Sequence, residues 1–317
     1  MKRLFALLTA ASLAVPAVAA QTVNCATPGT DNAFLGIHTI HLWSGTPPQA
    51  KGDTCNDIPA LTVLDPRQGQ ENGSAVIILP GGAYIHLAGD LEGREIADWF
   101  AARGFRAFVL SYRLSSNGYL LPIPLLDARR AVQTVRARAL DYHINPNRIV
   151  VIGFSAGGHL AALAGTQFVP GNPDADDPIE RASSRPDFLV LGYPWLGAIS
   201  SDTSHLSYCE LLNVMDQCEA LRAKFDPVLY VTKDTPPTFI YHTFADQTVP
   251  VGQSLGFYEA LVKAGVPSEM HIFANGGHGT GLGKGDPALD QWPNLLEIWL
   301  RAQGLLTVDK EAVGAKP

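Results

Sequence analysis

The sequence predicts an α/β protein in which a mostly parallel central sheet is covered by helices on both faces. Three observations carry this reading. Strand-like and helix-like stretches alternate from Ala75 to Gly165, and such alternation calls for parallel strands joined by crossover helices. Ala75-Val76-Ile77-Ile78-Leu79 is apolar throughout, and a strand without a polar face is buried on both sides, as in a parallel sheet. Val150-Val151-Ile152 runs into Gly153-Phe154-Ser155-Ala156-Gly157, after which small, helix-favouring residues continue from His159 to Gly165. Strand, sharp turn and helix stand side by side in that stretch.

Residues 1–20 differ in character from the rest of the chain. Met1-Lys2-Arg3 is a short basic segment, Leu4 to Val15 is apolar, and Ala17-Val18-Ala19-Ala20 supplies small residues before Gln21. This is the pattern of a cleavable secretory signal, with cleavage expected after Ala20 and a secreted or periplasmic product. The apolar run is too short to span a bilayer. The full sequence of 317 residues is 46% hydrophobic and 17% charged, and residues 21–317 are expected to form a single domain. Loss of Lys2 and Arg3, with no acid in the same segment, takes the formal net charge from −7 to −9. That sign excludes nucleic acid and anionic membrane as natural partners.

An arm of about 21–60 comes first, rich in Gly, Pro, Thr and Asp, with one β-like run from Ile37 to Trp43. His38 and His41 are separated by an odd offset on that run and so face opposite ways, which argues against a shared metal. Cys25, Cys55, Cys209 and Cys218 are an even set in an exported chain, and disulfides are the expected state. Of the three possible connectivities, Cys25–Cys55 and Cys209–Cys218 join residues close in sequence and outside the sheet core. No spacing matches a zinc or redox motif, so no metal and no cofactor is expected.

Leu61 to Leu64 reads as a short strand and Ala75 to Leu79 as a buried one. Gly93 to Arg103 has helical spacing, Arg106 to Tyr112 is the next strand, and Pro122 to Tyr142 is a long helix with Leu125, Leu126, Ala128, Val132 and Val135 as its core stripe. Asp127, beside Arg129 and Arg130, is read as part of that helix's surface charge. After the elbow, 171–186 is a polar surface loop and Asp187 to Tyr193 another buried strand. The insertion of about 196–236, with helical pieces over Leu206–Val214 and Cys218–Lys224, lies between two core strands and is read as a small cap over the ligand edge of the sheet. Thr238–Thr243 is a strand, Val251–Ala264 a helix, Glu269–Phe273 the last strand and Asp290–Gln303 a closing helix. The polar tail after Thr307 is expected to be mobile.

The chemistry is concentrated in four loops that follow strands. In Gly153-Phe154-Ser155-Ala156-Gly157 the serine sits on a strained strand-to-helix turn that lifts its hydroxyl clear of the sheet. The Ala156 N–H then points at the oxygen of whatever carbonyl Ser155 attacks. Two glycines in Pro80-Gly81-Gly82-Ala83-Tyr84 follow a buried strand and let a loop approach a ligand with unpaired N–H groups, so Gly82 and Ala83 are the other candidate oxyanion donors. A serine hydroxyl needs a base. Asp246 and His278 each fall a few residues past a predicted strand, in the chain order serine, acid, histidine, and are the candidate partners of Ser155. His271 lies inside a strand, His242 precedes the acid and His159 sits on the elbow helix, where packing is its expected role. Asp286 and Asp290 follow His278 and break the order.

Leu42-Trp43 with Gly45-Thr46-Pro47, Asp57-Ile58-Pro59-Ala60-Leu61, Pro80 to Tyr84, Tyr112-Arg113-Leu114, Gly153 to His159, Asp234-Thr235-Pro236-Pro237-Thr238 and Gly276-Gly277-His278-Gly279 resemble the acetyl-xylan-esterase-like branch of the α/β hydrolases. The resemblance covers nearly all of the chain after the signal. Ala83 stands where that family usually has glycine, and the cap carries two cysteines. The resemblance implies the α/β-hydrolase fold, a triad at the positions of Ser155, Asp246 and His278, no cofactor, and hydrolysis of esters. The expected substrates are acetyl groups on xylan, xylo-oligosaccharides or related sugars. Trp43, Tyr84, Trp195 and Tyr208 are the candidate sugar-stacking faces. A broad carboxylesterase or feruloyl esterase, a serine peptidase of the same fold and a non-catalytic binding protein stay open as alternatives. The peptidase reading is disfavoured because the chain has no stretch for a large N-terminal propeller, and the binding-protein reading because no triad member is missing.

Overall fold

The structure, a computed structural model, describes Cys25, residues 38–197, Cys209 and residues 215–314. The expected signal segment, the helical piece over 206–214 other than Cys209, and Tyr208 lie outside the described residues.

The strands are β1 (His38–His41), β2 (Ala60–Leu64), β3 (Ala75–Leu79), β4 (Arg106–Ser111), β5 (Ile149–Phe154), β6 (Phe188–Gly192), β7 (Thr238–Thr243) and β8 (Ser268–Phe273). They form one sheet in the order β1-β2-β4-β3-β5-β6-β7-β8. β1 and β2 pair antiparallel, as do β2 and β4, and every later pairing is parallel. The two antiparallel strands belong to the stretch of chain before the first crossover helix. From β3 onward each strand is reached by a crossover, which forces the parallel direction.

The helices that cover the sheet are α1 (Glu95–Ala101), α2 (Ile123–Ala137), α3 (Ser155–Thr166), α4 (Cys218–Phe225), α5 (Gly252–Lys263), α6 (Trp292–Ala302) and α7 (Lys310–Gly314). Successive side chains of β3 go to opposite faces. Ala75, Ile77 and Leu79 pack with Val132 and Val135 of α2, Leu160 of α3 and Phe257 of α5, whereas Val76 and Ile78 pack with Ile96 and Phe100 of α1 and Leu296 and Leu300 of α6. Two cores, one on each face, explain why the strand sequences show no polar alternation.

Connections run from β3 toward β4 on one side and return past β3 to β5 on the other. The adjacent C-terminal ends of β3 and β5 therefore flank a topological switch point, where an open α/β sheet has a ready-made crevice for ligands.

Several expectations are corrected. The helix expected over 93–103 begins earlier, as a wider π-type turn over Gly89–Arg94, and continues as α1. α2 ends at Ala137 rather than Tyr142, and Leu126 is only half-buried. Asp127 is not surface charge: it is fully buried and holds Arg113, not Arg129 or Arg130, through Arg113 Nη2 at 2.5 Å, Nε at 3.0 Å and the Arg113 backbone N–H at 2.9 Å. Helix periodicity places Asp127 near the boundary of the core stripe but cannot show a buried cation arriving from the loop after β4. The tail after Thr307 is not free as far as it is described, to Gly314: it is anchored at Asp309. Asp309 accepts N–H bonds from Glu311 and Ala312 at the start of α7, and Asn145 Nδ2 donates to its side chain at 2.7 Å. Both cysteine pairs are bridged as expected, Cys25 to Cys55 and Cys209 to Cys218.

Candidate active site

Ser155 follows β5 directly and opens α3, with φ +51°, a left-handed conformation that non-glycine residues rarely adopt. The strain is held in place by close packing. A methyl group added at Gly157 would run into the backbone oxygens of Leu79 and Pro80, and one added at Gly158 would come within 2.7 Å of the Pro194 ring. Only glycines let the elbow helix approach β3 and the end of β6 this closely.

Asp246 follows β7 and His278 follows β8, and the structure brings both to Ser155. His278 Nε2 lies 2.7 Å from Ser155 Oγ, and its Nδ1 lies 2.7 Å from Asp246 Oδ2. Because a carboxylate only accepts, Nδ1 carries the proton, and Nε2 is left to accept from the serine hydroxyl. Asp246 Oδ1 accepts the backbone N–H groups of Thr248 and Val249, both at 2.9 Å. Burial by itself would raise the Asp246 carboxyl. Hydrogen bonds from His242, His278 and the Val249 amide outweigh it and hold the group well below the usual carboxylate range.

His242 is a part of the site that sequence reasoning assigned no role. Its Nε2 donates to the Val249 carbonyl at 2.9 Å, its Nδ1 accepts from Ser254 Oγ at 2.7 Å, and Nε2 also faces Asp246 Oδ2 at 3.4 Å. It fixes the turn that carries the acid. The spacing of His242 and Asp246 is legible in the sequence, but a histidine inside an apolar strand gives no sign of pointing toward the acid.

The loop after β3 has Gly82 at φ +122°, Ala83 at +56° and Tyr84 at +61°. Two consecutive non-glycine residues in the left-handed region cost roughly 1–2 kcal/mol each, so outside contacts must hold them. The Tyr84 hydroxyl donates to His159 Nδ1 at 2.8 Å, the Tyr84 carbonyl accepts from Ser115 N and Oγ, and the Tyr112 hydroxyl donates to the Pro80 carbonyl at 2.7 Å. A side chain at Gly82 would collide with the His86 carbonyl. Among the described residues, no group accepts from the N–H of Gly82 or Ala83. The Ala156 N–H lies in the first turn of α3, where helical geometry supplies no acceptor. Gly82 and Ala83 line the same cavity as Ser155 and His278.

That cavity holds about 320 Å³ and is walled mainly by apolar groups, including Ala88, Leu91, Trp195 and Val249. Of the candidate stacking faces, Trp195 lines it. Tyr84 does not: its ring is fully buried and its hydroxyl is committed to His159. Trp43 packs against the guanidinium groups of Arg113 and Arg130. His159, fully buried and pushed down to about 4 by desolvation, is neutral and donates from Nε2 to the Phe225 carbonyl at 2.9 Å. It thereby joins the elbow helix to α4. His271 pairs with Glu269 on β8, and Asp286 accepts from the Ala288 and Leu289 amides, so neither takes part in the site. Among the described residues no cluster of side chains has the makings of a metal site.

Comparison with known proteins places these features in a family. The BD-FAE family model matches residues 61–187 and the Prolyl oligopeptidase family model matches residues 191–302. An acetylxylan esterase of Xylanibacter ruminicola is 32% identical over an alignment of 241 residues that covers 73% of this chain and 46% of that protein. The chain spans about half or less of the length of this and other curated relatives it matches. An acetyl ester-xyloside bifunctional hydrolase from Caldicellulosiruptor lactoaceticus is 37% identical, superposes with a TM-score of 0.75, and is matched over 96% of its length and 84% of this chain. A thermophilic esterase from Thermogutta terrifontis, solved with propionate bound, is 26% identical with a TM-score of 0.68 over 86% of this chain and 97% of its own. With its elbow on a central strand of the sheet and its fold shared with these enzymes, the chain belongs to the acetyl-xylan-esterase-like branch of the α/β hydrolases.

Proposed function

We propose that this protein is a secreted serine carboxylic-ester hydrolase that removes acetyl groups from acetylated xylan, xylo-oligosaccharides or related sugars through an acyl-enzyme. The observation that supports it most is the unbroken chain from Ser155 Oγ to His278 Nε2 to Asp246 Oδ2, each link 2.7 Å. The 32% and 37% identities to an acetylxylan esterase and an acetyl ester-xyloside hydrolase point to the substrate class.

In this reading Ser155 Oγ attacks the acetyl carbonyl as His278 Nε2 takes its proton. The carbonyl oxygen, now negative, is received by the N–H groups of Ala156, Gly82 and Ala83. Asp246 holds the imidazole in the accepting tautomer and stabilises its charged form. His278 then gives the proton to the departing sugar hydroxyl, leaving acetyl on Ser155. Water repeats the sequence to release acetate, with no metal or cofactor. The cavity of about 320 Å³ has room for an acetyl group together with part of the sugar that carries it. The signal-like segment Met1–Ala20 supports export, where a polysaccharide would be met. No helix among the described residues is long and apolar enough to cross a membrane.

The test compares acetylated xylo-oligosaccharides, aryl acetates, feruloyl esters and a peptide anilide as substrates of wild type and Ser155→Ala. Turnover of the acetyl esters, lost by about 10⁵–10⁶ in the folded variant, is expected. Retention of near wild-type rates by Ser155→Ala would overturn the assignment of the nucleophile. Preference for the anilide would replace the esterase by a peptidase.

A further inference from the structure

Behind the oxyanion loop lies a carboxylate that the triad mechanism does not use. Glu92 is 3% exposed and borders the cavity that holds Ser155 and His278. Its two oxygens serve different loops. Oε2 accepts the Gly81 backbone N–H at 2.7 Å, and Oε1 accepts the Tyr193 hydroxyl at 2.8 Å. That hydroxyl in turn accepts the Gly281 backbone N–H at 3.0 Å.

Both ends of this chain are themselves pinned. The Gly81 carbonyl accepts from the Ala88 N–H, so both polar groups of Gly81 are held by the segment following its loop. A methyl group at Gly81 would come to 2.6 Å from Glu92 Oε2, 2.8 Å from the Phe154 carbonyl and 2.9 Å from Ser155 Cβ, so Glu92, Gly81 and the elbow are contiguous. Gly281 belongs to the loop that carries His278, and its carbonyl accepts from Tyr241 Oη at 2.9 Å and Trp292 Nε1 at 3.1 Å. The Tyr193 ring packs edge-on against the His278 imidazole, with centroids 5.1 Å apart.

We infer that Glu92 is a positioning residue that locks the oxyanion loop to the histidine loop, through Gly81 on one carboxylate oxygen and through Tyr193 and Gly281 on the other. The inference rests on the esterase reading of the site. Its physical basis is the requirement that oxyanion donors and the base hold fixed positions while charge develops on the substrate. The two loops leave the sheet at β3 and β8, and four strand spacings lie between them in the sheet order. Hydrogen bonds within either loop cannot set the distance from one to the other. A side chain with two acceptor oxygens in a dry site can, because each oxygen takes a separate donor. Burial raises the Glu92 carboxyl, and the Tyr193 and Gly81 donors oppose that by favouring its ionised form.

The experiment measures kcat and KM on an aryl acetate for wild type, Glu92→Gln, Glu92→Leu, Tyr193→Phe and the Leu/Phe double variant, with thermal melting of each. Wild-type turnover establishes the esterase reading first, and its absence would sink that reading without touching the geometry of the lock. Glu92→Leu is expected to lower kcat by about 100-fold and Tyr193→Phe by about 10-fold, the range for misplacing groups near the chemistry. KM should stay within about threefold in both, because Glu92 is only 3% exposed at the cavity's edge and the apolar walls at Ala88, Leu91, Trp195 and Val249 are untouched. Glu92→Gln, which keeps one acceptor for Gly81 and a polar group for Tyr193, should recover most of the loss. The double variant should be no slower than Glu92→Leu alone, since both break one chain. Should Glu92→Leu fail to fold, Tyr193→Phe and Glu92→Gln decide. Folded Tyr193→Phe with kcat within about threefold of wild type, or losses that multiply in the double variant, would overturn the inference.

Discussion

Replacing Asp246 by asparagine tests the site at the point where the structure specifies the outcome. Asp246 Oδ1 accepts two backbone N–H groups, from Thr248 and Val249, while Oδ2 faces His278 Nδ1 at 2.7 Å and His242 Nε2 at 3.4 Å. An asparagine at this position has one oxygen, and the two amides claim it. Its NH₂ must therefore occupy the place of Oδ2 and point a donor at His278 Nδ1. The imidazole can meet that donor only by moving its proton to Nε2, and Nε2 then donates to Ser155 Oγ instead of accepting from it. The loss is of the tautomer, not of the contact. A tautomer error of this kind costs on the order of 10⁴ in kcat, or about 5.5 kcal/mol of transition-state stabilisation. The stability change should be much smaller, about 1–3 kcal/mol for the mispaired buried groups. Initial rates on an aryl acetate, with melting to confirm folding, measure both. His278→Ala, which removes the base outright, should be slower still. A folded Asp246→Asn variant within about tenfold of wild type would refute the argument that this carboxylate sets the histidine's protonation.

Asp127→Ala leaves the Arg113 guanidinium buried without its partner, and should destabilise the fold by about 3–5 kcal/mol while folded molecules keep wild-type kcat; urea unfolding showing a loss under about 1 kcal/mol would contradict the placement of this pair in the core. Gly157→Ala sets a methyl group against the Leu79 and Pro80 backbone oxygens, where no side chain can yield, and should cost more than about 4 kcal/mol and yield little folded protein; a melting midpoint near wild type would show that the elbow can open. Replacing Cys209 and Cys218 by serine should lower stability by about 2–5 kcal/mol and raise KM for bulky glycosyl esters more than for small acetyl esters. Equal effects on the two classes would remove the bridge from any role in the pocket.

Much of this protein can be read directly from its sequence, because local pattern and physical cause coincide there. Apolar runs without a polar face mark the buried strands β3, β5 and β6, and their alternation with helical periodicity dictates a parallel sheet. Gly153, Ser155 and Gly157 mark the elbow because one left-handed residue between close-packed glycines has few other uses. Chain order after successive strands singles out Asp246 and His278, the acid and histidine that the fold brings to Ser155. What the sequence cannot supply is the contact between distant segments. Whether Asp127 meets solvent or Arg113 depends on where the loop after β4 passes, and helix periodicity contains no information on that. Glu92 stands just before the stretch of helical spacing over 93–103 and has no role legible there until the crossing of two loops places Gly81 and Tyr193 against its oxygens. His242 becomes a partner of the acid only through the turn after β7, and His159 is tied to Phe225 only through the path of α4. In each case the side chain's role is set by which buried donors and acceptors must find one another once water is excluded, and that pairing exists only in the packed molecule.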